Sequence, residues 1–248
     1  MILIMERIDI ASVKGGVGKS FIAYFLTKAL ATSRKILLVD KDLTSTISRV
    51  YNIKGNLLSY LTVGQSSFMY FKEVDNGLTV INIGCSRKIK NIEPTKIADI
   101  YSGFSDYDLM IVDNPSIPSD VCLDTELQAY YTYLNEKRLD YNLILILPPN
   151  QFLVDESLAF MELFKDYIKN ELSISLGNDL VNFDVISSVI NMYNPRERID
   201  ISKVQNLTNK IVKIPFKKEA IYTPLDQLNM PKEIIELAKY VLEHIESK

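Results

Sequence analysis

Histidine is nearly missing from this chain: His244 is the only one among 248 residues. Catalysis built on imidazole therefore has almost nothing to work with. Cysteine is scarce too, with only Cys85 and Cys122. That argues against a disulfide framework or a structural zinc site and leaves two buried structural thiols as the simpler reading. No apolar run approaches the ~20 residues needed to span a bilayer. The opening MILIMERIDI runs straight into a strand pattern without the charged start and cleavage site of a signal peptide. The chain lacks an overall positive charge, with a net −3 and a pI near 5.4, which still leaves room for a local basic face. Nothing in it is repeated or low in complexity. These features predict a soluble, cytoplasmic protein.

What is present is an ordinary globular composition, 47% apolar. A chain of this length can bury roughly 70–75% of its unfolded surface. Near-continuous apolar runs, rich in β-branched residues, recur at Ile8–Val13, Lys35–Asp40, Leu78–Ile83, Leu109–Asp113, Leu143–Leu147, Val185–Ile190 and Lys210–Ile214. Such runs suit strands covered on both faces. Helical patterns lie between them at Phe21–Thr32, Pro94–Phe104, Asp120–Lys137, Phe152–Asn170, Glu197–Leu207 and Pro231–Ile245. The alternation predicts a doubly wound α/β fold with a mostly parallel sheet flanked by helices, formed as one domain over residues 1–248. Ligands of such sheets gather at the carboxyl ends of the strands.

Three of those strand ends carry polar residues suited to a nucleotide. The first run ends in Lys14-Gly15-Gly16-Val17-Gly18-Lys19-Ser20, just before the helix that opens at Phe21. Glycines let successive N–H groups converge on one concavity, and the helix N-terminus adds positive potential. Lys19 would reach the terminal phosphates of a bound ATP or ADP, and the Ser20 hydroxyl would serve Mg²⁺. The second run ends at Asp40, with Asp42 following, and the fourth at Asp113. Carboxylates suit both a hard metal ion and a water that must lose a proton.

The common P-loop spacing requires glycine where Val13 stands. KGGVGKS instead resembles the deviant Walker A box of the ParA/MinD family of partitioning and positioning ATPases. In that family the early lysine, here Lys14, crosses an ATP-bound homodimer interface and touches the phosphates held by the other subunit. The resemblance implies that Asp42 handles the attacking water, that Asp40 lies near the metal shell, and that Asp113 is the Walker B carboxylate. These two aspartate segments would form the first and second switches. Leu43 and Thr44 replace the family's Pro-Gln after Asp42, and Ser116 follows Asn114 and Pro115 where proline or glycine is usual. The strand ending at Asn191 resembles the one whose asparagine bonds adenine, and Pro215 and Phe216 would flank the base.

The resemblance also frames the partners. ParA-like relatives bind DNA without sequence preference and answer to a ParB-like, centromere-binding adaptor. Seven basic residues between Pro195 and Lys218, among them Arg196, Arg198, Lys203, Lys217 and Lys218, outnumber Glu197 and Asp200. They suit sequence-independent phosphate contacts, and they equally suit a solvated surface. Arg87, Lys88 and Lys90 form a smaller basic cluster. MinD-like relatives bind membranes through a basic amphipathic C-terminal helix. Here that segment has an acidic outer face, so stable membrane association is not expected and the helix reads as docked on the sheet. A third branch bridges an iron–sulfur cluster with two cysteines per subunit, but Cys122 falls late and lacks the glycine-rich flanks. A small-molecule ligase or reductase on the same fold is a further alternative. The implied function is ATP-driven plasmid or chromosome partitioning by a nucleoid-associated dimer.

Overall fold

The computed structural model describes residues 5–63, 69–75, 77–85, 92–135, 137–172 and 181–247. Among the described residues, eight strands form one sheet: β1 (Glu6–Ser12), β2 (Ile36–Asp40), β3 (Phe71–Asp75), β4 (Leu78–Asn82), β5 (Leu109–Ser116), β6 (Leu139–Leu147), β7 (Val181–Tyr193) and β8 (Ile211–Pro215). Their order is β3-β4-β2-β5-β1-β6-β7-β8, and among the described residues only the β3–β4 pair is antiparallel. All seven apolar runs are strands. β3 escapes a search for such runs because FKEVD is half charged, as an edge strand with an exposed side can be.

Alternation along the strands assigns the two faces. Ile8, Ile10, Ile36, Leu38, Ile111 and Ile144 pack toward α1 (Lys19–Leu30) and the last helix (Lys232–Glu246). Leu37, Val39, Met110 and Val112 face the opposite way, with α4 (Pro94–Ser102) and α5 (Leu123–Tyr133). Tyr141, Leu143 and Leu145 do the same beneath α6 (Gln151–Asp166). Asn150 caps α6 by accepting a hydrogen bond from the Leu153 N–H at 3.2 Å. The helix continues past Asp166 as a π-helical turn, Tyr167–Leu172. Two short helices, α2 (Thr46–Val50) and α3 (Leu57–Val63), follow β2.

Two expectations need correction. The helix expected over Glu197–Leu207 shrinks to one turn, α7 (Ser202–Gln205). Asp200 takes the Ser202 N–H at 3.0 Å and its hydroxyl at 2.7 Å, while Asn194 takes the Arg196 N–H at 3.1 Å. These side-chain acceptors hold the preceding backbone in turns instead of helix. The cysteines are not two separate thiols: Cys85 and Cys122 are disulfide-bonded, with Cα atoms 5.8 Å apart. The sheet brings the segments after β4 and β5 over one end, which sets the two residues side by side. A sulfur pair used this way presents no thiolate to an iron cluster.

The last helix, α8, lies against α1 with Ile234, Leu237, Ala238 and Val241 buried. Its apolar stripe is therefore used inside the fold. Among the described residues no helix is long and apolar enough to cross a membrane.

Candidate nucleotide site

The glycine loop joins β1 to α1. Gly16 and Gly18 have φ of 74° and 87°, a left-handed backbone that side chains disfavour. Gly15 and Gly16 stand in open space, whereas a Cβ on Gly18 would come within 2.2 Å of Asn191 Nδ2. Ser12 Oγ braces the loop by donating to the Lys14 carbonyl at 2.6 Å. The first intrahelical bond runs from Ile22 N to the Gly18 carbonyl at 3.1 Å. The N–H groups of Lys19, Ser20 and Phe21 therefore point out of the helix end, toward the loop's concavity. Such a loop at a helix N-terminus has the form of an anion cradle. Lys19 is buried, Ser20 half-buried, and the Phe21 ring packs on Phe25.

The carboxylates arrive from neighbouring strands. Asp40 and Asp113 are register partners across the β2–β5 pair, and both are fully buried. Asp40 accepts hydrogen bonds from the Ser48 N–H at 2.8 Å and the Ser48 hydroxyl at 2.7 Å. Burial nonetheless pushes its carboxyl up to about 6. Asp113 is held well above the usual carboxylate range, first by burial and then by the Asp40 charge. Neither oxygen of Asp113 has a hydrogen-bond partner among the described residues. Two adjacent buried carboxylates, one of them unpartnered, beside a serine and a lysine, form an oxygen-donor set that fits a divalent cation. Asp42 is half-buried and accepts from the Thr44 N–H at 3.2 Å and from the Thr44 hydroxyl. Thr44, one of the departures from the family pattern, thus orients the aspartate expected to meet water.

Lys14 does not point into its own chain's cradle. Its ammonium lies 2.8 Å from Glu156 on α6, with both side chains about two-fifths exposed, 39% and 41%. Asn191 ends deep against the loop, donating to the Val17 carbonyl at 2.8 Å. One of its two amide N–H groups is committed there. Phe216 follows β8 and is 49% exposed, next to the exposed Pro215.

The basic residues are less concentrated than their sequence spacing suggests. Arg196, Arg198 and Lys218 are exposed and Lys217 half-buried. Lys203 is paired with Asp155 at 2.9 Å, so its charge is partly answered within the chain. Lys210 and Lys213 lie over the rings of Tyr240 and Tyr193. Arg87, Lys88 and Lys90 fall outside the described residues.

Sequence reasoning missed the charges beneath the site. Arg7 and Asp9, two residues apart in β1, lie on the α5 face of the sheet with Lys41, Asp120 and Glu126. The available signal was a charged pair at strand spacing inside an otherwise apolar run.

Residues 8–227 match the CobQ/CobB/MinD/ParA nucleotide binding domain. The chain belongs to that family. Its likeness to solved members runs nearly end to end at low identity. A cell division protein, MinD from Aquifex aeolicus, is 17% identical over 96% of this chain and 97% of its own, with a TM-score of 0.63. A plasmid partition protein from Borrelia burgdorferi, solved with AMPPNP, is 20% identical over 98% and 99%, with a TM-score of 0.60. An ATP complex of McdA from Cyanothece is 17% identical over 96% of each chain, with a TM-score of 0.66. No curated protein matches the sequence significantly. At such identities the solved neighbours establish the fold, and the family assignment establishes a nucleotide-binding domain.

Proposed function

We propose that this family member is an ATPase of the DNA-partitioning kind, active as an ATP-bound homodimer. One observation carries the reading. Lys14 stands ahead of an intact phosphate cradle yet reaches away from it, to the surface of α6. A cation held there by a half-exposed ion pair has only to leave Glu156 to reach a second molecule's phosphates.

In this reading the N–H groups of the Gly15–Gly18 loop, with Lys19, bind the phosphates. Ser20 and Asp113, with Asp40 beside them, would hold Mg²⁺, which would supply neutralisation of phosphate charge. Asp42 accepts the proton of the attacking water. The partner copy's lysine at position 14 stabilises charge developing on the transferred phosphoryl group. An electrostatic contact of that type is worth about 3–4 kcal/mol. Hydrolysis is thereby tied to assembly. The Asn191 amide oxygen, Pro215 and Phe216 flank the base. Arg196, Arg198, Lys217 and Lys218 contact DNA phosphates, with Lys203 joining them if its ion pair opens. A ParB-like adaptor stimulates turnover in the cytoplasm. The docked α8 favours DNA over a membrane as the bound surface.

Light scattering with and without ATP and Mg²⁺ tests the assembly step. The expected result is a monomer that doubles in mass, and a Lys14→Ala variant that binds nucleotide but fails to dimerise or turn over. Unaltered dimerisation and hydrolysis in that variant would refute the assignment. Retardation of duplex DNA at low salt, lost on reversing the charges of Arg196 and Arg198, tests the cargo. Co-sedimentation with anionic liposomes in place of DNA would instead support membrane positioning.

A further inference from the structure

The residue between the two aspartates of the first switch is itself a charge. Lys41 is fully buried, and its ammonium lies 2.9 Å from Asp120 Oδ2 and 3.3 Å from Glu126 Oε2. Its backbone N–H donates to the Asp113 carbonyl at 2.9 Å. One residue therefore grips the Walker B strand with its backbone and the start of α5 with its side chain. The anchors are themselves fixed. Arg7 donates two bonds of 2.7 Å to the Glu126 carboxylate and two more to Asp9, at 2.6 and 2.8 Å. The Tyr101 hydroxyl donates to Glu126 at 2.7 Å. Asp9 also accepts from the amide of Asn114, the residue after Asp113, at 2.9 Å.

Two cations and three carboxylates are thus sequestered beneath the nucleotide site. Burying ions costs several kcal/mol each, and well-packed apolar residues commonly do as well or better for stability. Stability is therefore a weak reason for this cluster, whereas its connectivity points to a specific use. One end touches Asp40 and Asp42 through the chain at Lys41. The other end is Asp120, directly after the Ile117–Ser119 turn that follows the Walker B segment.

We propose that Lys41 is a positioning residue that couples the two switches: it fixes the backbone bearing Asp40 and Asp42 to the segment that follows Asp113, through Asp120 and Glu126. A shift of the Ile117–Asp120 turn then moves Asp42 relative to the attacking water. The inference rests on the ATPase reading and extends it to a residue that touches neither nucleotide nor metal.

The test compares wild type with Lys41→Met, Lys41→Arg and Asp120→Asn in steady-state ATP turnover, ADP affinity and hydrogen exchange. Lys41→Met is expected to lower kcat at least tenfold while KM and ADP affinity stay within about threefold. Lys41→Arg is expected to recover much of the loss. Asp120→Asn is expected to reproduce part of it, and the Lys41→Met/Asp120→Asn double variant to be no worse than Lys41→Met alone. In wild type, ATP with Mg²⁺ should slow exchange in both the 40–46 and 117–123 segments. In Lys41→Met the two responses should separate. Should Lys41→Met fail to fold, Lys41→Arg and Asp120→Asn carry the same comparison. A folded Lys41→Met protein with wild-type kcat and coupled exchange overturns the inference while leaving the ATPase reading standing. Wild-type protein without ATP turnover, alone or with DNA, overturns both.

Discussion

Lys14 and Glu156 form an ion pair of 2.8 Å between the glycine loop and α6 of the same chain. The pair occupies the cation that the proposed mechanism needs elsewhere. An exposed ion pair is worth about 0–1 kcal/mol, so this one can restrain Lys14 but not lock it. Glu156→Gln is therefore expected to lower the protein concentration for ATP-dependent dimerisation, by at most about thirtyfold because each of the two copies gives up one pair. Sedimentation velocity across a dilution series reads this directly. A midpoint that stays put or rises would show that Glu156 does not hold Lys14 back.

Gly18 is constrained twice, by a φ of 87° and by the nearness of the Asn191 amide. Gly18→Ala should cost about 1–3 kcal/mol and abolish nucleotide binding. Removing the obstacle with Asn191→Ala should recover only the steric share, because the left-handed backbone remains. Urea denaturation of the single and double variants separates the two contributions. Full recovery in the double variant would show that the backbone conformation costs little.

Asp113 has a buried carboxylate neighbour in Asp40, and its side-chain oxygens accept no hydrogen bond among the described residues. Without a metal its charge opposes folding. Asp113→Asn should therefore raise stability of the nucleotide-free protein by about 0.5–2 kcal/mol while eliminating Mg²⁺-dependent turnover. Calorimetry and a phosphate-release assay check the two halves. A lower melting temperature would mean that the carboxylate is satisfied in the folded protein.

Glu126 behaves in the opposite sense. Burial alone would raise its carboxyl, but Arg7 and Lys41 outweigh that and hold it down at about 2, against an ordinary value of 4.5. Its ionised form favours the fold, so this contribution is complete above pH 4.5 and is lost as pH falls toward 2. Denaturant midpoints should drop across that interval. Glu126→Gln should be less stable at neutral pH by about 3–5 kcal/mol, since Arg7 and Lys41 lose a shared partner, and its acid dependence should be flatter. An equally steep profile in the variant would assign the acid sensitivity to other carboxylates.

The strands that carry the nucleotide site were legible because each is covered on both faces and reads as a continuous apolar run. The Lys14–Ser20 loop was legible because a tight anion cradle requires glycine at fixed positions. Asp40 and Asp113 followed from their place at strand ends. What the sequence concealed depends on distance in space. Lys14 and Glu156 are brought together only by the packing of α6 on the sheet, and nothing local in LVDESLAF marks the glutamate. Asp9 sits in a run that periodicity assigns to the core and Arg7 just ahead of it, and their partners Glu126 and Asn114 lie over a hundred residues away. β3 was missed because half-exposed charge masks its strand character, and α7 was overextended because local Asp and Asn acceptors compete with helix.

The two outermost strands have one more consequence. β3 turns Lys72, Glu73 and Asp75 outward, and β8 finishes in Pro215, which lacks an N–H to offer a newcomer. Neither rim is a good template for another chain's backbone. Copies of this protein held at high local concentration are thereby less prone to fuse rim to rim into an irreversible fibre.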